Sequence, residues 1–186
     1  MKVRLEPYDA QWPQDFEGLR TTLADALGDL ATRIDHIGST SIPAMGAKDC
    51  IDIQVTVSSL ERRDDIIKAF QAIGFAKQQY ETDHVPPGWM GSARQWSKFV
   101  FSPPGDERVC NVHVREVGHA NQRYALLFRD YLRANVAAAT TWLEMKRRLA
   151  EQYPDDLAMY GYLKDAATDL LMLDAERWAA ETGWAP

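Results

Sequence analysis

Apolar and polar positions recur along this chain with two different periods, and the switches between them mark its elements. Over "WPQDFEGLRTTLADAL", Trp12, Phe16, Leu19, Leu23 and Leu27 form one helical stripe, with Pro13 suited to a first turn. "TRIDHIG" then reads as a short strand ending at Gly38, and "CIDIQVTV" (50–57) as a strand of strongly β-favouring residues. In "SSLERRDDIIKAFQAIG", a capping-box pair, Ser58 with Glu61, precedes apolar Ile66, Ile67, Phe70 and Ile73, and Gly74 closes the helix. "FAKQQYE" (75–81) returns as a strand, which completes a β-α-β unit. "HVPPGWMGSA" (84–93) is too rich in Pro and Gly for regular structure. "RQWSKFVF" (94–101) and "RVCNVHVRE" (108–116) read as strands forming a hairpin across the loop "SPPGDE" (102–107).

From Gly118 onward the period is helical. Tyr124, Leu127, Phe128, Tyr131 and Leu132 repeat at helical spacing, as do Trp142, Met145 and Leu149. Pro154-Asp155-Asp156 breaks the chain and can start a last helix running towards Gly183. The order predicts an α+β fold, with residues 1–117 as an α/β core and residues 118–186 as a helical bundle packed on it in one compact unit.

The period-2 segments carry polar side chains where strands usually avoid them. Alternation sets Asp52, Gln54 and Thr56 on one face of their strand and Ile51, Ile53, Val55 and Val57 on the other. Such a face is either the wetted side of a half-exposed strand or the wall of a site. In the strand 108–116, Asn111, His113 and Arg115 share a face in the same way, and Arg94 and Lys98 can point together along 94–101. Several polar faces could line one concave, anion-binding surface. Gly38-Ser39-Thr40-Ser41 directly follows a strand, so its amides and hydroxyls can converge on a phosphate or serve an ordinary turn. Lys48 could neutralise a phosphate or solvate a loop. Trp89 and Trp96 could stack on a base or cap the core.

Composition narrows these options. Among 186 residues, 21 Lys and Arg face 27 Asp and Glu, a formal net charge of −6, which disfavours sequence-independent binding to nucleic acid. No apolar run approaches the roughly 18 residues of a membrane helix, and "MKVRLEPYDAQW" lacks the apolar stretch of a signal peptide, so a cytoplasmic protein is expected. Cys50 and Cys110 lie in strand-like runs without metal-ligand spacing and are read as buried thiols.

Gly38-Ser39, twelve intervening residues, then hydrophobic–Asp52–hydrophobic resembles the signature of the nucleotidyltransferase superfamily. Within it the chain resembles the GrpB family, through "HIGSTSIPAMGAKDCIDI" (36–53), "NVHV" (111–114), "LLFRDYLRAN" (126–135), "LEMKRRLA" (143–150) and "YGYLKDA" (160–166). The resemblance implies a nucleotidyltransferase-like mixed sheet with flanking helices. It implies phosphate binding by Gly38 and Ser39, joined by Thr40, with Lys48, Arg94, Lys98 and Arg115 as basic partners. It also implies a divalent metal on Asp52, with Gln54 where the superfamily has a second acid and His113 where it has a third. An amide and an imidazole in place of two carboxylates suit one Mg²⁺, Mn²⁺ or Zn²⁺ better than a two-metal site. Lys48-Asp49 stands where Lys-Pro is usual.

The implied activity is transfer of a nucleotidyl or phosphoryl group from a nucleoside triphosphate to a small-molecule acceptor, with Asp52 and His113 as catalytic residues. A nucleotide- or metabolite-binding protein with a degenerate transferase site is the alternative. A metal-dependent hydrolase using His36, His113 and Asp52 is a third reading, although His36 also suits a core histidine bonded to a backbone carbonyl.

Overall fold

The computed structural model describes residues 2–105 and 108–186. Five strands form one mixed sheet: β1 (Ala31–Ile37), β2 (Ile51–Val57), β3 (Ala76–Lys77), β4 (Phe99–Ser102) and β5 (Cys110–Glu116), in the order β1-β2-β5-β4-β3. β1 runs antiparallel to β2, β5 parallel to β2, and β4 antiparallel to both β5 and β3. Among the described residues five α-helices accompany them: α1 (Trp12–Leu27), α2 (Arg63–Ala72), α3 (Ala120–Ala134), α4 (Val136–Gln152) and α5 (Leu157–Thr182).

The alternation in β2 and β5 divides the molecule. Ile51, Ile53, Val55, Val57, Val112 and Val114 bury one sheet face against Trp12, Phe16 and Leu23 of α1 and Ile66 and Phe70 of α2. Phe70 stacks on Phe101 of β4 with ring centroids 3.8 Å apart. On the opposite, polar face Gln54 and Thr56 are buried and only Asp52 is half-exposed, into the cleft, so the wetted-strand reading does not hold for that face as a whole. A second apolar cluster joins Leu127 and Leu132 of α3, Trp142 of α4 and Met172 of α5 to Ile42 and Met45, which precede β2.

Several boundaries differ from those the pattern predicts. The helix expected from Ser58 begins at Arg63, and no Ser58–Glu61 box forms. Instead Leu60 N–H donates to Glu116, Glu61 N–H donates to Ser59 Oγ and the Glu61 carboxylate pairs with Arg94, which holds these residues in a turn. The segment 75–81 pairs over only two residues. The β-α-β unit survives in altered form, because β3 runs parallel to β2 with β5 and β4 between them. In 94–101, Ser92 accepts from Arg94 N–H and starts a 3₁₀ turn, Ala93–Trp96, so the strand begins only at Phe99, after one isolated bridge from Ser97 to Thr82. The β4–β5 hairpin forms as expected; of its loop 102–107, residues 106 and 107 lie outside the described residues. The last helix starts as read, with Asp156 accepting from Met159 N–H and Gly183 closing it in the left-handed region.

Candidate functional site

The polar sheet face, the turn after β1 and helices α3 to α5 enclose a cleft of about 380 Å³. Its first corner is the pairing of Ile37 with Asp52 at the end of β1. Gly38 follows with φ +67°, and a Cβ there would lie 2.5 Å from Asp52 Oδ2 and 2.9 Å from Asp52 Cβ. Glycine is therefore needed twice over, for the backbone angle and for the approach of the carboxylate. The next residues, Ser39–Ser41, make one 3₁₀ turn, closed by Ser41 Oγ donating to Gly38 O at 2.6 Å.

Side chains from the helices hold that turn. Arg129 donates to His36 O at 3.1 Å, and Arg133 donates twice to Ser41 O, at 3.0 and 2.8 Å. Lys146 reaches in from α4 to Ser39 Oγ (2.9 Å) and Gly46 O (2.7 Å). Burial first, then the charges of Lys164 and Lys48, lower its pKa to about 7. A phosphate placed here would restore its positive charge.

Asp52 is half-buried, and its Oδ1 accepts from Asn111 Nδ2 at 3.3 Å. Burial works against its charge, but His113, Asn111 and Lys48 outweigh it and hold the carboxyl below its ordinary range. His113 Nε2 lies 3.9 Å from Asp52 Oδ1, and Lys98 Nζ lies 3.4 Å from His113 Nδ1. Burial, assisted by Arg115 and Lys98, keeps the imidazole neutral. An ammonium at Nδ1 can only donate, so the ring carries its hydrogen on Nε2, towards Asp52. The lone pair that a metal would need faces the lysine instead.

Gln54 is fully buried and does not reach the cleft. Its Oε1 accepts from Arg115 at 2.6 Å and its amide donates to Gln122 O at 3.1 Å. Arg115 in turn donates from Nε and Nη2 to Asp83, which also receives Lys98 and Asn121. Of the three candidate metal ligands, then, Asp52 alone presents an open oxygen. Among the described residues no three His, Cys, Asp or Glu side chains converge on one metal position. The donor set does not make a protein-built cage, but one exposed carboxylate suits a metal that arrives already held by phosphates.

Other predicted residues separate in the same way. Gly38, Ser39, Thr40, Lys48, Asp52, His113 and Arg115 line the cleft. Arg94 does not; it is exposed and paired with Glu61 at 3.0 Å, because its expected strand is a turn. Lys98 is buried behind His113. Asp49 faces outward, accepting from Trp12 Nε1 and Arg108. His36 is buried, stacked on Phe16, and bonded to Thr40 Oγ1 at 2.9 Å rather than to a carbonyl. Burial and Arg133 lower its pKa to about 4, and it takes no part in a metal set. Cys50 lines the cleft, and burial beside Asp52 pushes its thiol up to about 12.

Four features of the cleft have no site role in the sequence analysis, although two of them lie in segments quoted for the family resemblance. Asp83 gives no periodic signal, since it sits in irregular backbone. Lys146 does leave one, as a charge four residues from Trp142 on the buried side of α4. Lys164 stands likewise four residues from the buried Tyr160. The fourth is a dyad: His84 Nε2 lies 2.7 Å from Asp169 Oδ2, and Tyr124 OH donates to Asp169 Oδ1 at 2.8 Å. Trp96 lines the cleft edge-on to Tyr124, with Trp89 edge-on outside it.

Comparison with known proteins fits this arrangement. Residues 2–172 match the family described as GrpB protein. The chain belongs to the GrpB family. A GrpB protein of Enterococcus faecalis superposes with a TM-score of 0.75 at 29% identity, over 94% of this chain and 99% of that one. A UPF0157 protein of Streptomyces coelicolor is 32% identical over 97% of this chain and 86% of its own. A protein of Mycolicibacterium paratuberculosis named dephospho-CoA kinase is 33% identical over 99% of this chain, which spans only 48% of that protein's length. The Cid1 poly(U) polymerase shares the fold, with a TM-score of 0.55 at 12% identity over 84% of this chain and 49% of Cid1. The GrpB fold is thus nucleotidyltransferase-like.

Proposed function

We propose that the cleft binds a nucleoside triphosphate and transfers its nucleotidyl or phosphoryl group to a small-molecule acceptor. The observation that carries this reading is the contact between Gly38 and Asp52, which brings turn amides, an ionised carboxylate and the Lys146 ammonium to one corner. Phosphates would lie on the Gly38-Ser39 turn, with Lys146, Lys164 and Lys48 balancing their charge. A divalent ion arriving with the triphosphate, Mg²⁺ or Mn²⁺, would sit at Asp52 and neutralise charge on the phosphoryl oxygens. The Cid1 poly(U) polymerase, solved with MgATP and with MgGTP, is a precedent for such a complex on this fold. Zn²⁺ gains no support, because the imidazole lone pair it would use is turned to Lys98.

The chain's own residues divide the remaining work. His113 would donate from Nε2 to a phosphoryl oxygen, with Lys98 at Nδ1 fixing that direction. His84, which lines the cleft and is oriented by Asp169, would take the proton of an attacking acceptor hydroxyl. Trp96 and Tyr124 offer an aromatic wall for a base. The kinase activity named for the mycobacterial relatives is not carried over, since this chain contains no G-x-x-x-x-G-K-[ST] phosphate loop.

Gln54 favours a second reading, nucleotide binding without turnover. At the position of a second acid it contributes a neutral amide, and Arg115 occupies its oxygen. Thermal unfolding with ATP, GTP, CTP and UTP, each with and without Mg²⁺ or Mn²⁺, separates the two. At a hundredfold excess over Kd, a ligand of the folded state raises Tm by about 5–10 °C for a chain of this size. The transfer reading expects a rise that needs nucleotide and metal together and is lost in Asp52→Ala, with pyrophosphate or nucleoside diphosphate released when acceptor is supplied. A rise indifferent to metal, without release, establishes the binding reading. No rise with any nucleotide rejects both.

A further inference from the structure

His113 and Asp52 stand close enough to share a metal ion. Nε2 of the one and Oδ1 of the other lie 3.9 Å apart on the paired strands β5 and β2. Two bonds of about 2.1 Å from a single ion span up to about 4 Å. An imidazole and a carboxylate, with water completing the shell from the half-exposed side of Asp52, make a donor pair that Zn²⁺ accepts. What stands in the way is a hydrogen. Nε2 carries it, in the direction from which the ion would bind.

The hydrogen is there because of Lys98. Its Nζ lies 3.4 Å from His113 Nδ1 and has hydrogens to give but no lone pair while charged, so Nδ1 must accept. The place of that ammonium is set from several sides. Lys98 stands two residues before Val100, which faces His113 across the β4–β5 pairing, and its own N–H donates to Glu81 O. Its side chain is buried and paired with Asp83 Oδ1 at 2.5 Å. Asp83 is fixed in turn by Arg115 Nε and Nη2 at 2.9 and 3.0 Å, by Asn121 Nδ2 at 2.9 Å, and by its own N–H on Trp96 O. A buried ammonium does not readily leave such a partner.

We propose that Lys98 determines which metal the cleft accepts: by donating to His113 Nδ1 it closes a latent Asp52–His113 site to transition metals. Asp52 is thereby left to a hard ion carried in by phosphates. Only this last step rests on the function proposed above; the closed site follows from the geometry of Lys98, His113 and Asp52 alone. Asp83 is the positioning residue of the device, acting through Lys98.

Replacement of Lys98 by glutamine opens the site. Its amide can donate to Asp83 and offer its oxygen to His113, which moves the ring hydrogen to Nδ1 and turns the Nε2 lone pair towards Asp52. Zn²⁺ alone, titrated against a chromogenic chelator without nucleotide, should bind Lys98→Gln at least about tenfold more tightly than the parent. Adding His113→Ala should abolish that gain, and Lys98→Arg, which also only donates, should bind as the parent does. Imidazole ¹⁵N NMR should place the His113 hydrogen on Nε2 in the parent and on Nδ1 in Lys98→Gln. Equal affinities in parent and Lys98→Gln, or a gain that survives His113→Ala, overturn the proposal. A parent chain with its hydrogen on Nδ1 overturns it too, even if the variants fail to fold. None of these readouts involves a nucleotide, so this proposal and the transfer reading can fail independently.

Discussion

At the scale of single residues, the site depends on one glycine and one lysine. Ala at position 38 would be held in a backbone region that costs of order 1–3 kcal/mol and would press its Cβ on Asp52. Gly38→Ala should therefore lower stability by at least about 2 kcal/mol in urea. The two contributions are separable. In an Asp52→Gly background, where Oδ2 and Cβ are both gone, the same change should cost less, and equal costs would show that the contact is unimportant. For Lys146 the argument concerns pH. Its folded pKa of about 7 lies below the ordinary lysine value, so between them the unfolded chain holds a proton that the folded chain has released. The penalty of burying a charged lysine is thus present below pH 7 and relieved above it, and stability should rise with pH across that window. Affinity for a phosphate-bearing ligand should run the other way. It falls above pH 7, and binding there takes up a proton, which calorimetry in two buffers of different ionisation enthalpy detects. Lys146→Met should remove both effects.

At the scale of elements, what could be read in advance was whatever obeys a period. The stripe of α1, the alternation in β2 and β5 and the start of α5 are local, so the apolar face of the sheet and the polar faces that carry Asp52 and His113 were already visible. Ser58, Arg94 and Trp96 sit where local bonds compete with the period. Ser92 captures Arg94 N–H and Glu116 captures Leu60 N–H, and no spacing rule anticipates a contact 56 residues away in the chain. Asp83 escaped for the same reason, although it organises the polar face. Its carboxylate gathers Arg115, Lys98 and Asn121, while Arg115 also fixes Gln54. Arg115→Met should strip one partner from a buried charge and one from a buried amide together. The expected loss is about 3–5 kcal/mol, well above that of an exposed pair such as Arg62–Asp65. A urea titration giving less than about 1 kcal/mol would show that solvent reaches the network.

At the scale of the whole molecule, the core of the helical third is completed by residues of the first segment. Leu127, Leu132, Trp142 and Met172 close around Ile42 and Met45, which belong to the connection between β1 and β2. Arg133 and Lys146 are satisfied by carbonyls and a hydroxyl of that same connection, and Arg129 by His36 O near the end of β1. Removing residues 118–186 would bare two large apolar side chains and three backbone acceptors, and removing 1–117 would leave the helices packing around a gap, with Lys146 stripped of its acceptors and Arg129 and Arg133 left to Asp130 alone. Neither half should fold alone, and the intact chain should unfold in one transition. Ile42→Ala is the sharper test, because it sits in the first segment but packs only in the helical cluster. It should cost about 2–5 kcal/mol, and its midpoint should move equally whether followed by far-UV circular dichroism or by tryptophan fluorescence. If the two probes separate, the helices are an independent unit. If they move together, occupation of the Gly38-Ser39 turn by a ligand is felt directly in α3 and α4, since the groups that hold the turn are the groups that hold the two layers together.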